Sequence, residues 1–195
     1  MSLTYSTALP LGTSAPPFLL PDVKGKGNLV SLDDYKGVRG ILILFICNHC
    51  PYVKLVQKEL VALAQDYAVK GIAMVAINSN DVKTFPEDSP DKMHKEAEEL
   101  GYPFPYLFDE SQEVAKAYQA ACTPDIYLFD AYKKLVYHGQ LDDARPGNEG
   151  PVTGADLRRA MDALLAGRPA LAEQKPCMGC NIKWKPGNEP DYFKP

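Results

Sequence analysis

The residues of this chain best suited to do chemistry are two cysteines that follow a short apolar run. Cys47 and Cys50 enclose Asn48 and His49 and come directly after the apolar residues 41–46. Six apolar residues fit a buried strand and are too few to cross a bilayer. Helical periodicity begins after Cys50, so the pair is placed where a strand meets the start of a helix.

A sulfur at this junction is predicted to be reactive. A thiol at a helix N-terminus faces unpaired backbone N–H groups and the positive end of the helix dipole, which lower its pKa. His49 would add an imidazolium beside Cys47, unless it is an exposed side chain that solvent screening leaves without electrostatic weight. The spacing also lets the second sulfur attack a mixed disulfide formed by the first. These features are the layout of a dithiol redox site.

The composition fits one domain with extensions. The chain has 195 residues, of which 46% are hydrophobic, and this is enough for a sizeable core. Its net charge of −4 comes without a long basic run, so no nucleic-acid partner is expected. Residues 1–5 lack the basic and apolar regions of a signal peptide, so we expect a cytoplasmic location and no membrane partner. Five cysteines in a reducing compartment are expected to be catalytic or metal-binding rather than structural.

The elements that must position the cysteine pair alternate along the chain. Residues 1–35 are predicted as a lead-in with one hairpin around Gly25–Gly27. The predicted strands are 41–46, 72–77, 105–108, 126–129 and 134–137, and the predicted helices are 50–70, 89–101, 110–121 and 154–166. This order implies an α/β fold with a parallel core and a late antiparallel hairpin. We expect a domain over 1–166, a tail over 167–195, and Cys47 at the carboxyl end of a strand, where ligands of such sheets bind.

Three sequence features resemble the thioredoxin fold, and more closely its peroxiredoxin-like branch, across residues 10–166. The first is the strand that leads into Cys47–Pro51. The second is Thr123–Pro124, just before the strand 126–129, which matches the cis-proline that faces the redox site of thioredoxin-like proteins. The third is Gly12–Phe18, which is similar to the start of alkyl hydroperoxide reductase and thiol-specific antioxidant domains. The resemblance implies a central mixed sheet flanked by helices.

The resemblance also implies a role for each residue of the site. Cys47 would be the nucleophile and Cys50 the resolving thiol. Pro124 in cis would place the backbone of Thr123 beside the disulfide, ready to pair with a substrate strand. His49 would support Cys47, since an intervening histidine is also found in strongly oxidising disulfide exchange proteins. No cofactor is implied.

Two positions depart from the patterns of these families. The peroxidatic centre of a peroxiredoxin resembles P-x-x-x-T-x-x-C, but Leu44 stands three residues before Cys47, and Cys47 itself three before Cys50. We therefore expect no threonine hydroxyl to hold a peroxide oxygen. Ile41 occupies the position of the buried carboxylate of thioredoxin, so proton transfer at Cys50 is expected to need another group or water.

A third cysteine lies close to the proline of the resemblance. Cys122 stands two residues before Pro124 and should lie on the loop that faces the site. It is either an extra redox thiol or a small buried residue, because free cysteine is among the more buried residue types.

A second C-x-x-C pair lies in the tail. Cys177 and Cys180 stand in a segment that resembles the C-terminal signature of the same peroxiredoxin-like branch. Because a tail is flexible enough to reach the first pair, one interpretation is a relay that passes electrons between the two pairs. The other is a structural disulfide that folds the tail back, with Trp184 as its anchor.

The main hypothesis from the sequence is a thiol–disulfide oxidoreductase. Its expected partners are protein or small-molecule disulfides and an electron donor, either a reductase or a low-molecular-weight thiol. The first alternative is a peroxiredoxin-like thiol peroxidase with an antioxidant role, whose substrates would be peroxides. The second is a metal-binding module, with zinc on the four paired cysteines or copper on Cys47, Cys50 and a histidine. The long separation of Cys50 from Cys177 disfavours zinc, so no metal ligand is assigned.

Overall fold

The computed structural model describes residues 3–25, 27–148 and 150–193; Met1 and Ser2, weighed above for a signal peptide, and Lys26, in the predicted turn, lie outside them. The strands are β1 (Leu3–Tyr5), β2 (Leu19–Pro21), β3 (Leu29–Ser31), β4 (Gly40–Phe45), β5 (Ile72–Asn78), β6 (Tyr106–Phe108), β7 (Cys122–Thr123), β8 (Asp125–Asp130), β9 (Leu135–His138) and β10 (Met178–Asn181). The helices are α1 (Pro51–Ala68), α2 (Pro90–Glu99), α3 (Glu113–Ala117) and α4 (Ala155–Leu165). None of the described helices is long and apolar enough to span a membrane.

Five strands form the central mixed sheet, in the order β6-β5-β4-β8-β9. β4 pairs in parallel with β5, and β5 pairs in parallel with β6. β8 is antiparallel to both β4 and β9. The predicted α/β fold, with a parallel core and a late antiparallel hairpin, is confirmed. The hairpin predicted for the lead-in is also present, as the antiparallel pair β2 and β3.

The middle strand β4 explains the continuous apolar run of the sequence. All six of its residues are buried. Leu42 and Leu44 belong to one hydrophobic core, whereas Ile41, Ile43 and Phe45 belong to a second core on the opposite face. A strand that is covered on both faces has no polar side, so its sequence does not alternate. The carboxyl end of β4 therefore delivers the following cysteine to a buried position.

The third helix is shorter than the sequence predicted. The pattern indicated a helix over 110–121, but α3 covers only Glu113–Ala117. The helix begins late because Gln112 has a left-handed backbone, with φ of 67°. The Asp109 carboxylate accepts a hydrogen bond from the Ala115 N–H at 3.0 Å and so ties the start of α3 to the end of β6.

The tail contributes the middle strand of a second, small sheet. β10 lies between β1 and β7 and is antiparallel to both. Ile182 and Trp184, just beyond β10, are 1% and 8% exposed and pack into the second core. This packing agrees with the anchoring role expected of Trp184. The division into a domain over 1–166 and a tail over 167–195 stays a prediction.

Candidate active site

Cys47 and Cys50 lie where β4 gives way to α1. Cys50 is the N-cap residue of α1. Pro51 follows at the first helical position, where the N–H that proline lacks would have no partner within the helix. The two cysteines are 1% and 0% exposed. The predicted junction is therefore present, and the dithiol in it is covered rather than open to solvent.

The peptide bond between Thr123 and Pro124 is cis, as the resemblance implied. Thr123 contacts both sulfurs of the pair. Its Oγ1 lies 3.3 Å from Sγ of Cys47, and its carbonyl oxygen accepts a hydrogen bond from the Cys50 thiol at 3.1 Å. This hydroxyl corrects one expectation from the sequence. Because Leu44, and not a threonine, stands three residues before Cys47, no threonine hydroxyl was expected beside that sulfur. The fold supplies that hydroxyl from a strand far along the chain.

A third sulfur joins this pair. Cys180 is the register partner of Thr123 in the antiparallel pairing of β10 with β7. Its thiol hydrogen-bonds to Cys50, so the Cys50 sulfur has a sulfur neighbour on each side. Gly179 permits this close approach, because a Cβ at that position would lie 2.0 Å from the carbonyl oxygen of Thr123. The tail thus reaches the first pair, and it does so with one sulfur.

Hydrogen bonds among the three thiols shift their pKa values in different directions. The bonds from Cys180 and Cys47, helped by the Val53 N–H, hold the pKa of Cys50 well below its usual range. The bond to Cys50, together with burial, raises the pKa values of Cys47 and Cys180. The carbonyl of Thr123 suits the protonated form of Cys50 and so opposes part of this lowering. Negative charge in the reduced protein is therefore favoured on Cys50, whereas the sequence suggested Cys47.

His49 is held by a buried carboxylate. Oδ2 of Asp88 lies 2.6 Å from Nδ1 of His49, and the imidazole stacks on Phe85 with 4.9 Å between the ring centroids. Asp88 is fully buried, and its Oδ1 accepts a hydrogen bond from the Asn48 N–H at 2.8 Å. Because Nδ1 is engaged, His49 presents Nε2, which is buried and has no hydrogen-bond partner among the described residues.

Asp88 is the site residue that the sequence did not reveal. It lies on a short 3-10 turn, Pro86–Asp88, in the long insert between β5 and β6. The side-chain amide of Asn80 donates to its Oδ2 at 2.8 Å and helps to aim it at the cysteine pair. No local pattern distinguishes Asp88 from the other acidic residues. The one available signal was Ile41, which occupies the position of the buried carboxylate of thioredoxin. Its presence indicated that another group in the fold must take part in proton transfer.

The same residues offer ligand atoms to a metal ion. One atom each from Cys47, His49 and Asp88 lies within 4.8 Å of the other two. A metal would compete with the hydrogen bonds that Asp88 already accepts from Asn48 and Asn80. Within the described ranges, the four paired cysteines do not form a comparable group. The trio therefore suits proton transfer better than metal binding.

The remaining two cysteines make separate contacts. The thiol of Cys177 donates to the carbonyl of Gly139 at 2.9 Å, and that of Cys122 donates to the carbonyl of Pro124 at 3.5 Å. Burial is the main cause that raises the pKa of each. No disulfide joins Cys177 to Cys180, and an odd spacing along an extended chain places side chains on opposite sides. Neither Cys122 nor Cys177 joins the group around Cys50.

Two cysteines at a helix start, facing a cis-proline across the edge of a mixed sheet, define a thioredoxin-fold redox protein. The fold is shared with the thioredoxin domain of the thiol-disulfide oxidoreductase BVU-2223 from Bacteroides vulgatus. That structure aligns with a TM-score of 0.60 and 22% identity, and the alignment covers 78% of this chain and 98% of that one. Within this class, the chain belongs to the AhpC/TSA family, which matches residues 11–138.

Two other proteins are similar over most of the chain. The thiol-disulfide oxidoreductase ResA of Geobacillus kaustophilus is 30% identical over 161 residues, which are 83% of this chain and 82% of that protein. The crystal structure of an uncharacterized conserved protein from Geobacillus kaustophilus is 61% identical, with a TM-score of 0.93, over 96% of this chain and 98% of that one. The family and the ResA relative establish that this chain is an oxidoreductase.

Proposed function

We propose that this protein is a thiol–disulfide oxidoreductase in which Cys47 attacks the substrate, Cys50 resolves the mixed disulfide and Cys180 exchanges with Cys50. One observation carries the proposal. The Cys50 sulfur is hydrogen-bonded to Cys47 and to Cys180, next to the cis peptide bond before Pro124. A sulfur with two sulfur neighbours can form a disulfide with either. Similarity to ResA supports the reaction class.

The first half of the reaction oxidises the dithiol. The Cys47 thiolate attacks one sulfur of the substrate disulfide, the S–S bond of the substrate breaks, and the departing thiolate takes up a proton. The lowered pKa of Cys50 favours its thiolate, which attacks the Cys47 sulfur. This step releases the second half of the substrate as a thiolate. Two electrons have then passed to the substrate, and the protein holds a Cys47–Cys50 disulfide.

Cys47 must lose a proton before it attacks, because its bond to Cys50 and its burial raise its pKa. We assign His49 as the acceptor of that proton. One imidazole nitrogen lies within 4.8 Å of Sγ of Cys47, a separation that one bridging water spans. In the tautomer in which Nδ1 donates to Asp88, Nε2 is the nitrogen that accepts the proton. Asp88 is then a positioning residue, which fixes the tautomer of His49 and stabilises the imidazolium.

The second half of the reaction moves the disulfide to the tail. The Cys180 sulfur attacks the Cys50 sulfur, a Cys50–Cys180 bond forms and the Cys47–Cys50 bond breaks. The departing Cys47 sulfur takes up the proton that Cys180 loses, with no net change in electrons. An external electron donor, a reductase dithiol or a low-molecular-weight thiol, then reduces the Cys50–Cys180 disulfide and is itself oxidised. The sequence suggested a relay through Cys177 and Cys180. In this proposal only the Cys180 sulfur takes part in the relay.

Mapping of disulfides in a single turnover tests this sequence of steps. Reduced protein is mixed with one equivalent of hydroxyethyl disulfide, quenched in acid at increasing times and analysed by mass spectrometry. We expect the Cys47–Cys50 bond first and the Cys50–Cys180 bond later, with the same order in a Cys177→Ser control. Oxidation of Cys47→Ser at the wild-type rate would refute the nucleophile, and absence of a Cys50–Cys180 bond at every time would refute the exchange.

Thr123 favours a second candidate function, a thiol peroxidase with an antioxidant role. Its hydroxyl lies 3.3 Å from Sγ of Cys47, where it can donate to a peroxide oxygen. The Cys47 thiolate would attack one oxygen of the peroxide, the O–O bond would break, and an alcohol or water would leave. Cys47 would then be a sulfenic acid, which Cys50 converts to a disulfide with release of water.

Trapping of the sulfenic acid distinguishes the two functions. A Cys50→Ser variant is treated with hydrogen peroxide in the presence of dimedone, which labels sulfenic acids. The peroxidase predicts a dimedone adduct at Cys47, and predicts less of it when Thr123 is also changed to Val. Loss of peroxide without any adduct at Cys47 would exclude this function.

We propose a cytoplasmic location and a role in cell redox homeostasis as part of the same function. The exchange needs Cys50 and Cys180 to return to thiols, which is favoured in a reducing compartment. Cell fractionation, followed by measurement of the redox state of both cysteines, tests the location. Recovery of the protein in an extracytoplasmic fraction would contradict it.

A further inference from the structure

The sheet edge beside the cis-proline is closed by the chain itself. An open strand edge binds extended polypeptides through its free N–H and C=O groups. The edge of β7 is instead paired with β10, in which Cys180 takes the position opposite Thr123. β10 is paired on its other side with β1. A substrate strand that approached Thr123 from this side would therefore find its backbone partner already taken by β10.

β10 is fixed at both ends. Before it, the Ser6 N–H donates to the carbonyl of Cys177 at 2.9 Å. After it, the Lys183 N–H donates to Oδ1 of Asn80 at 2.8 Å, and Trp184 is 8% exposed. Removal of β10 would break these bonds and expose buried side chains. The strand is therefore part of the fold, and not a cover that each substrate displaces.

A groove approaches the site on the side of His49. It is a cavity of about 270 Å³, lined by three lysines and three glutamates, Lys54 and Glu96 among them, as well as by His49. His49 lines this groove, and one of its ring nitrogens lies within 4.8 Å of Sγ of the buried Cys47. The cavity accommodates part of a small-peptide disulfide. Lys92 is paired with Glu87 at 2.6 Å and Lys95 with Glu99 at 3.7 Å, so we expect Lys54 and Glu96 to meet the carboxylate and ammonium groups of a ligand.

We infer that this site acts on low-molecular-weight disulfides that carry both carboxylate and ammonium groups, and that it excludes polypeptide disulfides. The inference rests on the proposed function, because it names the substrates of that reaction. The groove at His49 admits a small charged molecule, whereas the place that a polypeptide strand would need is held by β10. The sequence left protein disulfides among the expected partners, and this inference excludes them as substrates.

Two substrates of different size test this inference. Reduced protein is mixed with oxidised glutathione or with insulin, and each rate is divided by the rate of dithiothreitol with the same substrate. We expect the normalised rate with oxidised glutathione to be about 10²-fold higher. Equal normalised rates would overturn the inference and leave the proposed function standing. Failure of both disulfides to oxidise Cys47 would contradict the proposed function instead.

A charge variant tests the groove. Lys54→Gln removes an ammonium group from the lining, and Lys58→Gln, one turn further along α1 and outside the groove, is the matched control. We expect the first variant to slow the reaction with oxidised glutathione about threefold and to leave the reaction with uncharged hydroxyethyl disulfide unchanged. The control should change neither rate. An unchanged rate with oxidised glutathione, or an equal loss with both substrates, would overturn the assignment of the groove.

Discussion

Cys180 lies opposite Thr123 in the pairing of β10 with β7, and this places a third sulfur against Cys50. The tail pair contributes one thiol to the site, because the thiol of Cys177 is bonded to the carbonyl of Gly139. Cys50, the resolving thiol of the proposed reaction, therefore has an alternative partner within the same chain. Exchange between the two disulfides needs no external reagent, since it only redistributes bonds among thiols that are already in contact.

The charge on Cys50 leads to a first prediction. The hydrogen bond from Cys180 is the largest cause that lowers the pKa of Cys50, so Cys180→Ala should raise that pKa. The ultraviolet absorbance of thiolate in the reduced protein should then appear only at higher pH. Cys180→Ser, which keeps a hydroxyl donor, should restore part of the effect.

A matched control is available for this titration. Cys122 is fully buried and its thiol donates to the carbonyl of Pro124 rather than to Cys50, so Cys122→Ala should leave the low-pH thiolate absorbance unchanged. Persistence of that absorbance in Cys50→Ser would show that the charge resides on another sulfur.

The contact between Asp88 and His49 leads to a second prediction. In Asp88→Asn, the amide can donate to Nδ1 of His49, which moves the imidazole proton to Nε2 and removes the base that Cys47 needs. We expect the rate of oxidation by hydroxyethyl disulfide to fall by about 10²-fold. The pH dependence of that rate should also change, which a loss of packing alone would not produce.

Asp91→Asn is the control for this variant, because Asp91 is an exposed acidic residue in the first turn of α2. It should react at the wild-type rate. A wild-type rate and pH profile in Asp88→Asn would show that Asp88 and His49 take no part in the mechanism.

Local sequence was sufficient for the elements that carry the cysteine pair. The six-residue apolar run identified β4 because a strand buried on both faces shows no alternation. The threefold and fourfold spacing of apolar residues identified α1, and Val53, Val56 and Leu60 are indeed buried. Thr123–Pro124 was recognised by its place before a strand, and its peptide bond is cis. Each of these features depends on neighbours within a few residues.

The missing parts of the site depend on contacts between distant segments. Asp88 reaches His49 through the fold of an insert, and Asn80 from the same insert helps to aim it. The role of Gly179 depends on the carbonyl of Thr123, to which nothing in the tail sequence points. Spacing marked Cys177 and Cys180 as a unit, but only the strand pairing of β10 shows which of them meets the first pair.

Glu96, which lines the groove, leads to a third prediction. Burial, more than the negative charges of Asp88 and Glu99, raises its pKa from 4.5 to about 7, although Lys54 opposes the shift. The folded state therefore binds the carboxyl proton of Glu96 more tightly than the unfolded state does. The contribution of Glu96 to stability is fully present below pH 4.5 and is lost as the pH rises through about 7.

Urea unfolding of the wild type and of Glu96→Gln at several pH values measures this effect. The free energy of unfolding of the variant should decline less between acid and neutral pH, because glutamine carries no proton to lose. Parallel pH profiles for the two proteins would show that the carboxyl of Glu96 titrates normally.

Gly179 leads to a fourth prediction, about the pairing that brings Cys180 to the site. A Cβ at Gly179 would lie 2.0 Å from the carbonyl oxygen of Thr123 and 3.3 Å from Cδ of Pro124, so β10 must shift in Gly179→Ala. Such overpacking should lower the free energy of unfolding by about 1–3 kcal/mol. Urea titration followed by the fluorescence of Trp184, the only tryptophan, measures this loss.

The same substitution at Gly150 is the control, because among the described residues a Cβ there would meet only Oδ1 of Asn148, at 3.8 Å. Gly150→Ala should stay within about 0.5 kcal/mol of the wild type. The shift of β10 in Gly179→Ala should also separate Cys180 from Cys50, so the variant should form less of the Cys50–Cys180 disulfide after one turnover. Wild-type stability together with a wild-type yield of that disulfide would mean that the close contact between β10 and Thr123 does not control the exchange.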